Sequence, residues 1–360
     1  MKIRVSPLIL AILSASATQV LADDDLSING FLSAGVGTLS TDDIAINGYD
    51  EDVSFKPDTV LGLQVSKHIQ GKFSLTGQLV ARGPEEFDLD AAWAYATYDH
   101  SDETSIRFGR LRAPFFYYSD FLEVGYAYNW IRPPAEVYRI GFSSIDGVDV
   151  THQLYFGDID ASVQVYYGRF DDDLTIGGND VDFDLTNFAG VVFNASMEPF
   201  AIRLSYHRAA LTSEALSASA PPTDDEFLVD EDVSTFLESA FVYDDGDNQV
   251  VIELTALDHD SASLTDDTAF LVHYARRMND FTPHITYAHE KDDVESGSTG
   301  DIQKAAGLEN ELVSYIAGLR YDVETNVALK IEAQYRDEKT RSAADGEDGM
   351  LYSAAIDMLF

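Results

Sequence analysis

The sequence predicts an all-β fold: a transmembrane antiparallel up-and-down β-barrel of 16 strands. Three observations predict it. Sixteen segments of roughly 9–11 residues alternate apolar with polar or small side chains, the length and period of a strand that crosses a bilayer with one face in lipid. The connections between these segments alternate short and long. The chain is 45% hydrophobic and 12% aromatic. Yet beyond residue 22 it holds no run of about 18 apolar residues, which removes a spanning helix and leaves a closed barrel as the way to cross a membrane.

At the N-terminus, Lys2 and Arg4 form a short basic region and Pro7 to Leu13 a compact apolar run. Val20-Leu21-Ala22 offers small or apolar residues at the positions a signal peptidase reads. Residues 1–22 therefore read as a secretory signal peptide. The mature chain is expected to start at Asp23, with 23–360 as one barrel domain. Cysteine is absent, in keeping with a fold that needs no staples. There are 63 acidic and 23 basic residues, a net charge of −40 that becomes −42 without Lys2 and Arg4. Such a balance argues against nucleic acid as a partner, because phosphates need basic surface. The aromatic content argues against an acidic disordered chain. The acid must be segregated from an apolar surface.

In chain order, the long connection 38–58 separates strands 26–37 and 59–68. Gln70-Gly71-Lys72 then turns into 73–82, where Phe73, Leu75, Leu79 and Ala81 oppose Ser74, Thr76, Gln78 and Arg82. Strands 88–98 and 104–112 precede the long connection 113–146. The turn Gly157-Asp158 joins 147–156 to 159–169. In the latter, Ala161, Val163, Val165 and Tyr167 oppose Ser162, Gln164 and Tyr166. Connection 170–183 leads to 184–195 and 200–209, and 210–235 leads to 236–244 and 249–258. Strands 267–277 and 281–290 precede 291–310, and Asp322-Val323-Glu324 joins 311–321 to 326–336. There Val327, Leu329, Ile331, Ala333 and Tyr335 oppose Lys330, Glu332, Gln334 and Arg336. The last strand, 349–360, puts Tyr352, Ala354, Ile356, Met358 and Phe360 on one face.

That rhythm assigns tight turns to one rim and long loops to the other, and an even strand count brings both termini to the tight-turn rim. Much of the acid sits in the long loops, as in Asp171-Asp172-Asp173 and Asp224-Asp225-Glu226. Without a twelve-residue calcium loop these read as solvated charge, and no metal is expected. Aromatics at strand ends, such as Tyr95, Tyr98, Tyr155, Phe156 and Tyr321, suit girdles at the two interfaces. The eight histidines fall in no recognisable Ser/His/Asp or metal-ligand spacing, so neither an enzyme nor a cofactor is expected.

Connection 113–146 differs from the others. It carries Pro114, Phe115, Phe116, Tyr117, Tyr118, Phe121, Tyr126, Tyr128, Trp130, Pro133, Pro134 and Tyr138. So much apolar surface does not stay in water, and the nearest surface to pack on is the barrel wall.

Three features resemble the trimeric general porins of Gram-negative outer membranes. They are the leader, the terminal Asp357-Met358-Leu359-Phe360, and Ile106-Arg107-Phe108-Gly109-Arg110 followed by a long third outer loop. The resemblance implies an outer-membrane location among lipid and lipopolysaccharide, and a homotrimer. It implies a barrel-assembly machinery that reads Phe360, a third loop folded into the lumen, and a pore-wall role for Arg110.

Selectivity in such a pore comes from its diameter and the charges lining its narrow zone. The expected acidic lip is Asp120, Glu123 and Glu136. The expected basic wall is Arg82, Arg107, Arg110 and Arg112, joined by Arg203, Arg320, Lys330 and Arg336. On the fifth strand, alternation points Arg107 inward and Arg110 outward, whereas the resemblance points Arg110 inward; a bulge at Gly109 reconciles the two. The implied function is passive diffusion of small hydrophilic solutes and ions, with modest cation preference from the acidic loops. The alternative is a substrate-specific channel whose loop aromatics form a track for a sugar or another small solute. An outer-membrane barrel enzyme ranks below both.

Overall fold

The computed structural model describes residues 26–42, 44–176, 179–218, 227–340 and 347–360. The leader expected over residues 1–22 and the start at Asp23 lie outside these residues, as do Gly177-Gly178 and Asp224-Asp225-Glu226. Sixteen strands are β1 Leu26–Leu39, β2 Val60–Gln70, β3 Phe73–Arg82, β4 Leu89–Asp99, β5 Thr104–Arg112, β6 Ser144–Phe156, β7 Ile159–Ile176 and β8 Asn179–Met197, followed by β9 Phe200–Thr212, β10 Asp232–Asp244, β11 Asn248–His259, β12 Asp266–Arg276, β13 Phe281–Asp293, β14 Asn310–Glu324, β15 Val327–Thr340 and β16 Glu347–Leu359. Two short helices, α1 (Glu214–Ala218) and α2 (Ser298–Ala305), lie in long connections.

Each strand pairs antiparallel with its sequence neighbours, and β1 pairs with β16, so the sheet closes on itself. Closure leaves no row of unpaired backbone groups at an edge. At the seam, Gly30 N–H donates to the Phe360 carbonyl at 2.7 Å and Phe360 N–H donates to the Gly30 carbonyl at 3.0 Å. A side chain at Gly30 would collide with the Phe360 ring, so the glycine makes room for the terminal aromatic.

The two faces are inverted relative to a soluble protein. On β15, Ile331 is 59% exposed while its neighbours Lys330 and Glu332 are 2% and 5% exposed. The same holds on β3, β7 and β16, where Leu75, Leu79, Val165, Tyr167, Tyr352 and Ile356 are exposed. Gln78, Tyr166, Ser353 and Asp357 are buried on the opposite faces. An exposed apolar belt around a polar interior fits lipid outside and polar contents within.

Two local expectations are corrected. The segment 170–183 is not an open loop on its flanks. The ladder continues from Phe170↔Leu185 to Ile176↔Asn179, so β7 and β8 form one long hairpin that carries Asp171, Asp172 and Asp173 as exposed strand residues. No bulge interrupts the ladders at Gly109, which pair in register on both sides. Instead Gly109 has φ +130°, a conformation that only glycine adopts readily. It lies beside Gly147, which lies beside Gly168. A Cβ at any of the three would strike the neighbouring strand's backbone, at Ala94, Tyr167 and Asp146 respectively. Such a glycine row lets a curved sheet turn a corner.

Candidate functional site

After β5 the chain runs through residues 113–143 with only two single 3-10 turns, Ser119–Phe121 and Gly125–Ala127. β6 begins at Ser144, slightly before the expected end of this connection at 146. A segment without a ladder must find other partners for its amides and carbonyls when it is buried. Here the polar face of the wall supplies them. Arg112 Nε donates to the Ser119 carbonyl at 2.6 Å. Arg320 Nη1 donates to the Tyr126 and Tyr128 carbonyls at 2.7 and 3.0 Å. Lys330 Nζ donates to the Gly125 and Trp130 carbonyls, each at 2.6 Å, and lies 2.8 Å from Asp357. Arg203 donates to the Pro114 carbonyl and pairs with Glu238 at 3.2 Å. Wall carboxylates accept in the other direction: Tyr117 N–H donates to Glu253 at 2.9 Å and Ile131 N–H to Glu332 at 3.2 Å.

The loop side chains complete the packing. Phe115, Phe116, Tyr118, Tyr128, Trp130 and Val137 join one buried apolar cluster with Phe188, Leu211, Phe236 and Leu271 of the wall. Trp130 Nε1 donates to Thr286 Oγ1 at 2.8 Å. The first long connection locks the loop from the other side. Arg132 Nε donates to Asp58 at 2.6 Å, Asp58 accepts from the Tyr49 hydroxyl at 2.6 Å, and the Arg132 guanidinium sits 5.5 Å over the Tyr49 ring. Burial opposes the charge on Arg132, but the adjacent Asp58 carboxylate outweighs it and raises the guanidinium above its ordinary value. Burial, then the neighbouring Glu253 carboxylate, push the Tyr138 phenol well up, so it stays a donor to Glu253.

On the other side of the loop, against β1 to β5, there is an internal space of about 500 Å³ lined by Gln64, Gln78, Trp93, Tyr95, Arg107, Arg112 and Asp120, among others. Arg107 pairs with Asp149, with Nε 3.0 and 3.1 Å from its two oxygens, and lies 5.5 Å over Tyr95. Arg82 Nε donates to Glu123 at 2.9 Å, and Nη1 reaches Glu85 at 3.0 Å and Asp90 at 3.4 Å. Arg112 is 5.5 Å over Trp93 and 3.9 Å from Glu123. Asp120 is exposed.

The structure thus brings together Arg82, Arg107, Arg112, Asp120 and Glu123, with Arg82 and Glu123 in direct contact instead of facing each other across a gap. The other expected residues stand elsewhere. Arg110 pairs with Asp146 at 3.2 Å directly across the ladder, both exposed beside the exposed Phe108 and Val148, which corrects its placement in the pore wall; Arg112, at the strand's end, turns inward to Ser119 and Trp93. Glu136 is buried and accepts from Ser314, so it forms no part of a lip. Arg203 and Arg320 hold loop carbonyls and are not free wall charges. Arg336 lies 3.6 Å from Glu338 on β15. The rings expected as a sugar track are largely spent in packing, since Tyr118, Tyr128 and Trp130 are buried.

Sequence reading missed Asp149, Glu253, Glu332 and Asp357 as partners. Their positions on polar faces were visible, but nothing local marks Glu253 and Glu332 as carboxylates that meet a loop more than a hundred residues away, or Asp149 and Asp357 as the partners of Arg107 and Lys330 on neighbouring strands. It also missed Ser234 Oγ, 2.7 Å from His259 Nδ1 across β10 and β11. No carboxylate among the described residues hydrogen-bonds that imidazole, so the pair lacks the third group that orients a catalytic base. Among the described residues no group of three or more His, Cys, Asp or Glu is arranged to hold a metal.

No family model matches the chain, and no curated protein is similar to it. Solved structures are. The chain is similar to in-vitro folded OmpT, an outer membrane protein of Vibrio cholerae, in its trimer form: 11% identity, TM-score 0.58, 93% of this chain and 99% of that one. It is similar to an anion-selective porin from Comamonas acidovorans: 11% identity, TM-score 0.60, 93% and 99%. It is similar to OprB of Pseudomonas putida in its high-pH structure: 10% identity, TM-score 0.58, 94% and 95%. At these identities the likeness is one of fold.

Proposed function

We propose that this chain is an outer-membrane porin, a passive diffusion channel for small hydrophilic solutes and ions with modest cation preference. The observation that carries the reading is the closed 16-strand barrel with its apolar side chains outside and its charged ones inside. A sheet of that kind is at home in a bilayer, and its polar interior suits water. The leader over 1–22 would export the chain, Phe360 would mark it for the assembly machinery, and three copies would associate in the membrane. The fold neighbour recorded in a trimer form supports that last point.

In this reading the loop 113–143 folds into the lumen, and the passage runs on the β1 to β5 side. Arg107 and Arg112 face Asp120 there, while Arg82 and Glu123 neutralise each other. Fixed charges of both signs beside a water-filled space orient dipolar solutes and disfavour apolar ones. The sign of selectivity is set by the acidic rim, including exposed Asp171, Asp172 and Asp173, because negative potential at a mouth concentrates cations. The buried state of Tyr118, Tyr128 and Trp130 favours general diffusion over a sugar-specific track.

The test is insertion of the mature chain into planar bilayers under a potassium chloride gradient. Stepwise conductance with a reversal potential of potassium sign is expected. A clear chloride sign overturns the preference, and no conductance overturns the channel.

A further inference from the structure

We infer that the internal space beside β1 to β5 is a binding subsite for small zwitterions with an apolar side chain, of the class of a free aromatic amino acid. Arg107 takes the carboxylate, Asp120 the ammonium and Phe121 the side chain. The inference rests on the proposed passage in one respect, that solute enters this space.

The turn Ser119–Phe121 presents two of these groups, and it is tied down on both sides. The Ser119 carbonyl accepts from Arg112 at 2.6 Å, the Ser119 Oγ accepts from the Phe116 N–H at 2.8 Å, and Glu123 accepts from Arg82 at 2.9 Å. Between these ties Asp120 is exposed, and its carboxylate has no hydrogen-bond or ion-pair partner among the described residues. Phe121 is 54% exposed, although it borders an interior space. A ring left open there has neither lipid nor core to cover it, and an apolar solute group would.

The guanidinium completes the set. Asp149 takes Nε and Nη2 of Arg107, whereas Nη1 has no hydrogen-bond partner among the described residues and the side chain keeps 26% of its surface open. Asp149 is itself buried, so it fixes the guanidinium without offering its own charge to the space. Asp120 lies near enough to bear on the charge of Arg107, so one small molecule can meet both. The space, about 500 Å³, is mostly apolar elsewhere, with Phe31, Trp93, Val124 and Leu359 in its wall.

These groups select their occupant. A simple anion on Arg107 meets like charge at Asp120, and a simple cation on Asp120 meets like charge at Arg107. A zwitterion without a side chain leaves Phe121 and the apolar wall in water. A zwitterion that carries an apolar group answers all three, with a charge-assisted hydrogen bond at each end.

The probes are L-phenylalanine, 3-phenylpropanoate, 2-phenylethylammonium and glycine, each added to a planar bilayer that holds the mature chain at neutral pH. They carry the ring with both charges, with the negative one, with the positive one, and both charges without the ring. Phenylalanine should block the ion current saturably, at a half-blocking concentration about tenfold below that of each other probe. Asp120→Asn should bring phenylalanine to the level of 3-phenylpropanoate, and Phe121→Ala should remove most of its margin over glycine, each judged against the variant's own unblocked current. The comparison among probes in the unmodified chain stands even if a variant fails to fold. An open current that all the probes leave alone or reduce alike overturns the subsite and leaves the channel standing, as does a phenylalanine advantage that survives Asp120→Asn. Absence of any current overturns the channel instead. Equilibrium dialysis of labelled phenylalanine against the detergent-solubilised barrel then decides the subsite: saturable retention lost in Asp120→Asn supports it, and retention that is absent or unaffected overturns it.

Discussion

Arg107 and Arg110 stand three residues apart on one strand, and the pleat sends them to opposite sides of the wall. Arg107 lies beside the internal space, held by Asp149 and capped by Tyr95. Arg110 shares the outer face with Phe108 and meets Asp146. The alternation of Ile106 and Phe108 already pointed Arg107 inward and Arg110 outward; the resemblance pointed the other way, and the regular ladder through Gly109 decides for alternation. A selectivity test separates the two. Arg107→Gln removes a positive charge beside the proposed passage and should raise the cation-to-anion permeability ratio about fourfold, since one unit charge roughly 10 Å away in water changes each ion's occupancy about twofold in opposite directions. Arg110→Gln should leave that ratio unchanged in the same bilayer measurement. Equal responses would mean that the passage does not run past Arg107.

At the scale of elements, the loop 113–143 and the glycine row beside its exit belong together. The loop is held by cations that reach its carbonyls and carboxylates that reach its amides, partners that stand in for the ladder it lacks. The sequence announced the loop through its length and its rings. It did not announce that Arg203, Arg320 and Lys330 would be consumed in holding it, since a cation on a polar face looks the same whether it faces water or a carbonyl. The glycines were legible only in part. Gly109 stood out as a site of irregular backbone, but its neighbours Gly147 and Gly168 become a row only when three strands are aligned. Gly147→Ala puts a methyl into the Tyr167 carbonyl and should destabilise the barrel by about 1–3 kcal/mol, read from denaturant unfolding in vesicles. Gly77→Ala on β3 meets nothing within 4 Å and should stay within about 0.5 kcal/mol of the parent. If the two behave alike, the close approach of β6 and β7 backbones is not what Gly147 serves.

For the whole molecule, the inverted distribution of side chains is the feature that the proposed function needs most. Ile331 lies on the outer face of β15, between Lys330 and Glu332 on the inner one. Arginine there should cost about 2–4 kcal/mol if the position sits near the bilayer midplane. Unfolding of Ile331→Arg in lipid vesicles measures it, and a cost near zero would place that face in water and end the membrane reading. Boiled and unboiled gel mobility of the same preparation reports whether the closed barrel survives detergent and whether the proposed trimer forms.

By itself the sequence determined the number of strands, their approximate limits and which face of each is apolar. These follow from a period of two that covalent geometry imposes on every extended segment, so residues a few positions apart suffice to read them. Only the tertiary structure decided which interior charges remain beside open space and which are tied to the loop. That choice rests on contacts such as Lys330 with Gly125 and Arg203 with Pro114, between residues 205 and 89 positions apart. Whether a buried cation meets a carboxylate, a carbonyl or water is set by how two distant segments pack, and no local pattern records it.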